Sequence, residues 1–134
     1  MSLGEGAVIS KSIRQKQNGR SSTDNEVYAV DDMMGQILYT LYFMEAQGYH
    51  IKHNILMQDN HSTIRLEKNG VGSAGKRSKH LNVKFFFAHD AIKKGLLEVE
   101  YCPAGEMWAD VLTKPLQGRG FREMRSRLMN MPVD

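Results

Sequence analysis

The sequence predicts a layered α/β fold. Short apolar segments typical of strands alternate with longer segments whose apolar residues recur every three or four positions. The predicted order is a strand, a long helix, a strand, two helices, a strand and two more helices. Such alternation is typical of proteins in which helices pack against a sheet, rather than of all-helical or all-β proteins.

The composition is that of a single globular domain. The chain has 134 residues, of which 41% are hydrophobic and 25% charged, and one domain typically takes about 100–200 residues. No apolar run approaches the roughly 18 residues of a membrane span, and residues 1–18 lack the apolar region of a secretory signal. A lone cysteine, Cys102, excludes an intramolecular disulfide and favours an intracellular, reducing compartment. Because no membrane span is predicted, a membrane is not expected as a partner.

A strand and a long helix are predicted in the first third of the chain. Residues 7–13 alternate as a short strand, and residues 15–20 form a polar, basic loop. An amphipathic helix then begins near Ser22 or Thr23, both good N-cap residues, and ends at Gly48. Counting back four positions from its apolar stripe places Glu26 on the inward face, where an acid needs a partner, a metal ion or solvent. The predicted stripe comprises Val30, Met33, Ile37, Leu41 and Met44.

Strands and helices continue to alternate in the rest of the chain. Strands are predicted over residues 50–58 and 96–102, and Asp59 directly follows the first of them. Helices are predicted over residues 61–68, from Ser78 to Gly95, over residues 106–114 and over residues 121–129. Residues 71–75, rich in glycine and serine, are predicted to form a loop.

Three acids lie where a site is expected. Glu26 is on the inward face at the start of a helix, Asp59 follows a strand, and Asp110 lies in the helix after the last strand. Sites in open α/β sheets form at the carboxyl ends of strands, and clustered carboxylates are stabilised by magnesium or manganese. The alternative is that these acids are solvated or paired in salt bridges.

Basic residues are concentrated in three clusters, although the net charge is only +3. Each cluster could bind phosphates, or could form a solvated face of the protein. The clusters comprise Lys11, Arg14, Lys16 and Arg20; Lys76, Arg77, Lys79 and Lys84; and Arg119, Arg122, Arg125 and Arg127.

Five blocks of the sequence resemble motifs of copia-type retrotransposon ribonuclease H domains. Residues 22–29 (STDNEVYA) resemble the family's helix motif, and residues 58–64 (QDNHSTI) resemble DN-Q-S-A-I, with His61 in place of Gln. Residues 76–83 (KRSKHLNV) are similar to R-T-K-H-I-D-I, residues 100–103 (EYCP) to Y-V-P, and residues 109–116 (ADVLTKPL) to AD-x-L-TKPL. The blocks keep the family's order and spacing, and the resemblance runs from about residue 6 to about residue 129.

The resemblance implies a ribonuclease H-like mixed sheet with flanking helices, which cleaves the RNA strand of RNA–DNA hybrids. It implies that Glu26, Asp59 and Asp110 are catalytic carboxylates that hold Mg²⁺ or Mn²⁺ for two-metal hydrolysis. The expected partners are the RNA–DNA hybrid and the upstream reverse transcriptase portion of a polyprotein. The second basic cluster, extended by one histidine, is expected to bind the hybrid's backbone through Lys76, Arg77, Lys79, His80 and Lys84.

The sequence departs from the family at its beginning. The family's first carboxylate is an Asp on the opening strand, in a D-A-D-W-A-G type motif that the 134 residues do not contain. Residues 1–3 resemble the tail of the second strand and residues 7–13 the third, so the first strand and most of the second are expected to be missing. The expected organisation is a single partial domain over residues 1–134, with a core at about 6–116 and a C-terminal helical extension at 117–134.

The departure leaves three functional interpretations open. The leading one is a fragment of a ribonuclease H that acts within the intact polyprotein and is inactive alone. The alternatives are a non-catalytic basic module that binds nucleic acid, and a non-functional relic of a degenerate element. The expected location is intracellular, in the cytoplasm, the nucleus or a virus-like particle of an intact element.

Overall fold

The computed structural model describes residues 1–12, 14–15, 19, 21–70 and 86–133. The chain divides into two compact units, which are described separately below. One unit comprises Gln15–Cys102, and the other comprises Met1–Arg14 together with Pro103–Asp134. Helices and a small parallel sheet make the protein a mixed α/β one, as predicted. The ribonuclease H-like sheet and the single partial domain stay predictions.

The first unit is built around the long helix α1, Ser22–Ala46. Ser21 is its N-cap, since the Ser21 hydroxyl accepts a hydrogen bond from the backbone N–H of Asp24 at 3.1 Å. The chain leaves the helix through Gly48, whose φ of 89° suits a residue without a side chain. The predicted helix is therefore confirmed, with its N-cap one residue earlier than expected. No helix in the described part of the chain is long and apolar enough to cross a membrane.

The buried face of α1 differs in part from the predicted stripe. Met33, Ile37 and Met44 are only half-buried. Residues Met34 and Leu38 are buried in their place, because a helix of 3.6 residues per turn carries two adjacent apolar stripes and packing selects one of them. The buried apolar residues of α1 are Val27, Val30, Met34, Leu38 and Leu41.

The sheet consists of two parallel strands, β1 at Ile55–Gln58 and β2 at Glu98–Tyr101. Ile55 is paired with Glu98, and Gln58 with Tyr101. Both strands are shorter than predicted. Residues 50–54 lie outside the strand, and there Asn54 uses its side-chain Nδ2 to donate a hydrogen bond to the Leu96 carbonyl at 2.8 Å.

Two further helices complete this unit, α2 at His61–Asn69 and α3 at Phe86–Lys93. The structure thus confirms the predicted helix at 61–68 and the end of the helix predicted from Ser78, while residues 71–85 lie outside the described part. Helix α2 packs against α1, α3 and both strands. The apolar core between these elements is formed by Val30, Met34, Leu38, Leu41, Ala88, Ala91 and Leu97.

The strand predicted over residues 7–13 is wrong for the described residues 7–12. Only an isolated antiparallel bridge between Ser2 and Ala7 forms there. Backbone N–H groups at the start of this segment have partners outside a strand ladder, so they do not need a neighbouring strand. The N–H of Ala7 donates to the Leu128 carbonyl at 2.7 Å, and the N–H of Val8 donates to the Met1 carbonyl at 3.0 Å.

The second unit contains two 3₁₀ helices, Ala104–Glu106 and Trp108–Leu112, and helix α4, Gly118–Met129. The helix predicted over residues 106–114 is present in part, as the shorter 3₁₀ helix Trp108–Leu112. Its hydrogen bonds span three residues, as in the 3.0 Å bond from the N–H of Asp110 to the Met107 carbonyl. The last predicted helix is confirmed by α4, which ends at Asn130 in a left-handed conformation with a φ of 50°.

Candidate metal site at the carboxyl end of the sheet

Glu26 lies one turn into α1 and faces α2. Its side chain is half-buried, and its Oε2 accepts a hydrogen bond from the Thr63 hydroxyl at 3.4 Å. Thr63 is fully buried in the first turn of α2. The prediction that Glu26 continues the inward face of α1 is therefore confirmed, although the group it meets is a hydroxyl rather than an apolar surface.

Asp59 is placed by the end of β1. The preceding Gln58 is buried, and its side-chain Oε1 accepts hydrogen bonds from the backbone N–H groups of Asp59 at 3.0 Å and Asn60 at 3.4 Å. These bonds fix the turn by which the chain leaves the strand. Asp59 is half-buried at the carboxyl edge of the two-stranded sheet, as the sequence predicts.

Asn60 joins the start of α2 to the start of α1. Its Oδ1 caps α2 by accepting from the N–H groups of Ser62 at 2.9 Å and Thr63 at 3.3 Å. Its Nδ2 donates to the Thr23 hydroxyl at 3.5 Å. The N-terminal ends of both helices therefore meet the end of β1, and the structure brings Glu26 and Asp59 to this one junction.

Asp110 belongs to the other compact unit, in the 3₁₀ helix Trp108–Leu112. Its side chain is largely buried, and its Oδ2 forms an ion pair with Nζ of Lys114 at 2.7 Å. A metal ion at Asp110 would have to compete with this lysine. The described residues include no group of three or more His, Cys, Asp or Glu side chains arranged to hold a metal ion. The site of Glu26, Asp59 and Asp110 stays a prediction.

Glu67 is the residue at this junction that sequence reasoning missed. It is 2% exposed, and neither carboxyl oxygen has a hydrogen-bond partner among the described residues. Burial, and then the charge of Glu26, raise the pKa of Glu67 to about 7. Glu67 is four positions after Thr63, so both lie on one face of α2. That spacing was the only available signal, and it is weak because both residues are polar.

Two aromatic rings are stacked at the same edge of the sheet. His61 is the first residue of α2 and Tyr101 the last of β2, and their ring centroids are 4.2 Å apart with 14° between the planes. Both residues are exposed. The substitution of His61 for the glutamine of the motif therefore places a ring against Tyr101.

The predicted nucleic-acid-binding residues lie outside the described part of the chain, so their role stays a prediction. They are Lys76, Arg77, Lys79, His80 and Lys84.

Curated proteins similar to this chain are retrotransposon polyproteins. Over 126 residues the chain is 29% identical to the retrovirus-related Pol polyprotein from transposon TNT 1-94 of Nicotiana tabacum. Over 127 residues it is 26% identical to the retrovirus-related Pol polyproteins from transposons RE2 and RE1 of Arabidopsis thaliana. No protein-family model and no solved structure matches the chain.

These alignments cover 94% of this chain but only 9%, 9% and 8% of the three polyproteins. The chain therefore spans less than a tenth of the length of these relatives. The chain is therefore similar to retrotransposon Pol polyproteins, as its sequence motifs predict. The ribonuclease H assignment within such a polyprotein remains a prediction.

Proposed function

We propose that this chain is a fragment of the ribonuclease H portion of a copia-type Pol polyprotein. Within the intact polyprotein this portion cleaves the RNA strand of RNA–DNA hybrids. The observation that carries the proposal is the similarity to Pol polyproteins over 94% of the chain, which includes all five motif blocks. Those blocks contain Glu26, Asp59 and Asp110, which match three of the carboxylates in the family's motifs.

The arrangement of Glu26 and Asp59 supports this proposal. Both lie at the junction of α1, α2 and the carboxyl end of β1, which is where parallel sheets place their sites. Their carboxylates are hard oxygen ligands of the kind that Mg²⁺ and Mn²⁺ prefer. Bound divalent ions would activate water and neutralise charge on the phosphodiester. The chain itself would contribute Glu26 and Asp59 as ligands, and Asp110 as a third.

The isolated chain is expected not to cleave hybrids. The described residues hold no group of three metal-ligating side chains, and Asp110 is paired with Lys114. Hydrolysis by two metal ions needs more than two carboxylates to position both ions. The test is release of fluorescence from a labelled RNA–DNA hybrid in Mg²⁺. Turnover by the isolated chain that Asp59→Asn abolishes would contradict the expected inactivity and support the ribonuclease assignment.

A chimera tests the assignment itself. The aligned segment of the tobacco Pol polyprotein is replaced by this chain, and hybrid cleavage is compared with that of the unmodified polyprotein. We expect the chimera to retain cleavage and Asp59→Asn to reduce it at least about a hundredfold, since loss of a metal ligand removes charge stabilisation. Asp32→Asn, an exposed acid on α1, is the matched control and should leave cleavage unchanged. Equal rates for both variants would refute the proposal.

A non-catalytic basic module is the second candidate, and α4 favours it. Arg119, Arg122 and Arg127 of this helix are exposed, and Nε of Arg119 is paired with Glu123 at 2.6 Å. Such a face could bind phosphates without reading the sequence of the nucleic acid. If it does, Arg122→Gln should weaken hybrid binding and reduce the dependence of log K on log salt by about one. Binding of this kind together with an inactive chimera would favour the module.

A further inference from the structure

The buried carboxyl group of Glu67 is the least satisfied polar group in the described part of the chain. Both of its oxygens are buried, and both lack a hydrogen-bond partner among the described residues. Buried polar groups in folded proteins nearly always have partners, because an unpaired one costs free energy. A buried carboxyl group of this kind is stabilised by binding a proton or a cation.

Two neighbouring groups supply further oxygen atoms on the same side. Glu26 of α1 is close enough for its charge to raise the pKa of Glu67, and the Thr63 hydroxyl lies within 3.4 Å of Glu26. Thr63 and Glu67 are one turn apart on the face of α2 that packs toward α1. This part of the two helices therefore supplies two carboxylates and one hydroxyl, and all of them are hard ligands.

We propose that Glu26 and Glu67 together bind one hard divalent cation between α1 and α2, with the Thr63 hydroxyl beside it. A cation of charge +2 neutralises two carboxylates that would otherwise repel each other in a poorly hydrated place. One or two carboxylates plus water are the usual protein ligands of Mg²⁺, whereas Ca²⁺ takes six to eight oxygen ligands. The site therefore fits Mg²⁺ or Mn²⁺.

This cation site differs from the catalytic site proposed above. It shares Glu26 with that site, but Glu67 is a new ligand, and neither Asp59 nor Asp110 is required. The inference does not depend on hybrid cleavage by the chain. The two proposals can therefore fail separately, because one is measured by cation binding and the other by cleavage.

The test is Mn²⁺ binding to the full chain, measured by isothermal titration and by the loss of the free Mn²⁺ signal in electron paramagnetic resonance. We expect one ion per chain and competition by Mg²⁺. Glu67→Gln should weaken binding at least about tenfold, because it removes a ligand while keeping the shape of the side chain. Glu45→Gln, an exposed acid at the other end of α1, is the matched control and should bind Mn²⁺ as the unmodified chain does.

Glu26→Gln provides a second variant at a half-buried position, and it should weaken Mn²⁺ binding to a similar extent. Circular dichroism checks that each variant folds. The inference is overturned if the unmodified chain binds no Mn²⁺, or if folded Glu67→Gln or Glu26→Gln binds it unchanged. A tenfold loss with Asp59→Asn and none with Glu67→Gln would instead assign the ion to the proposed catalytic site.

Discussion

Glu67 on α2 is buried, the charge of Glu26 on α1 helps to raise its pKa, and Glu26 itself accepts a hydrogen bond from the Thr63 hydroxyl. Two carboxyl groups in this position destabilise the folded state unless protons or cations neutralise their charge. Two acids and a hydroxyl group are therefore contributed by this part of the two helices. Four expected outcomes follow from the contacts in the two helices and the sheet.

The free energy of unfolding should fall with rising pH in the presence of EDTA. The pKa of Glu67 rises from 4.5 to about 7 on folding, so the folded protein holds a proton that the unfolded chain releases between these values. The loss begins near pH 4.5 and is complete above about pH 7, and it amounts to about 3 kcal/mol. Urea unfolding at a series of pH values measures it.

Glu67→Gln should remove most of this pH dependence and stabilise the protein above pH 7, since the variant has no buried acid to ionise. Glu45→Gln, which changes an exposed acid, should keep the full dependence and serves as the control. An unchanged pH profile in Glu67→Gln would mean that Glu67 does not titrate in this range.

Asn60→Ala should destabilise the protein by about 1–2 kcal/mol, because it removes the N-cap of α2. It also removes the bond from Asn60 to Thr23 that joins α2 to α1. Asn60→Asp keeps the capping oxygen and loses only the donor to Thr23, so it should cost less than half as much. Chemical denaturation measures both values, and equal losses would show that the cap contributes little.

Ser21→Ala should destabilise α1 by about 1 kcal/mol, because the Ser21 hydroxyl is the group that caps this helix. Ser22 is the matched control, since it is the next residue, is exposed and lies inside the helix. Its replacement by alanine should change stability by less than about 0.5 kcal/mol. The opposite order of the two effects, measured by thermal unfolding, would place the cap at Ser22, as the sequence alone suggested.

Met34→Ala should cost about 3 kcal/mol, because Met34 is fully buried and its truncation leaves a cavity in the core. Met57→Ala is the control on β1, where the residue is 48% exposed, and it should cost less than about 1 kcal/mol. Comparable losses, measured by urea unfolding, would mean that the exposed face of β1 is covered in solution.

Local signals in the sequence were sufficient to predict α1, α2 and α4. Apolar spacing and Gly48 predict α1, and Asn69 followed by Gly70 predicts the end of α2, because capping and periodicity act between residues a few positions apart. The same signals place Glu26 at the start of α1 and Asp59 after β1, where the structure has them. The places of Glu26 and Asp59 in the secondary structure were therefore predictable from the local sequence.

Packing between distant segments decided the rest. Residues 7–12 alternate like a strand, but the backbone N–H groups of residues 7–9 donate to the carbonyls of Met1 and Leu128 instead. Met34 is buried rather than Met33 because α1 packs with one of its two possible apolar faces toward the core. Glu67 is polar and lies in a polar helix, so its sequence predicts a solvated side chain. The packing of α2 against α1, α3 and the strands buries it, since burial depends on neighbours that the local sequence does not contain.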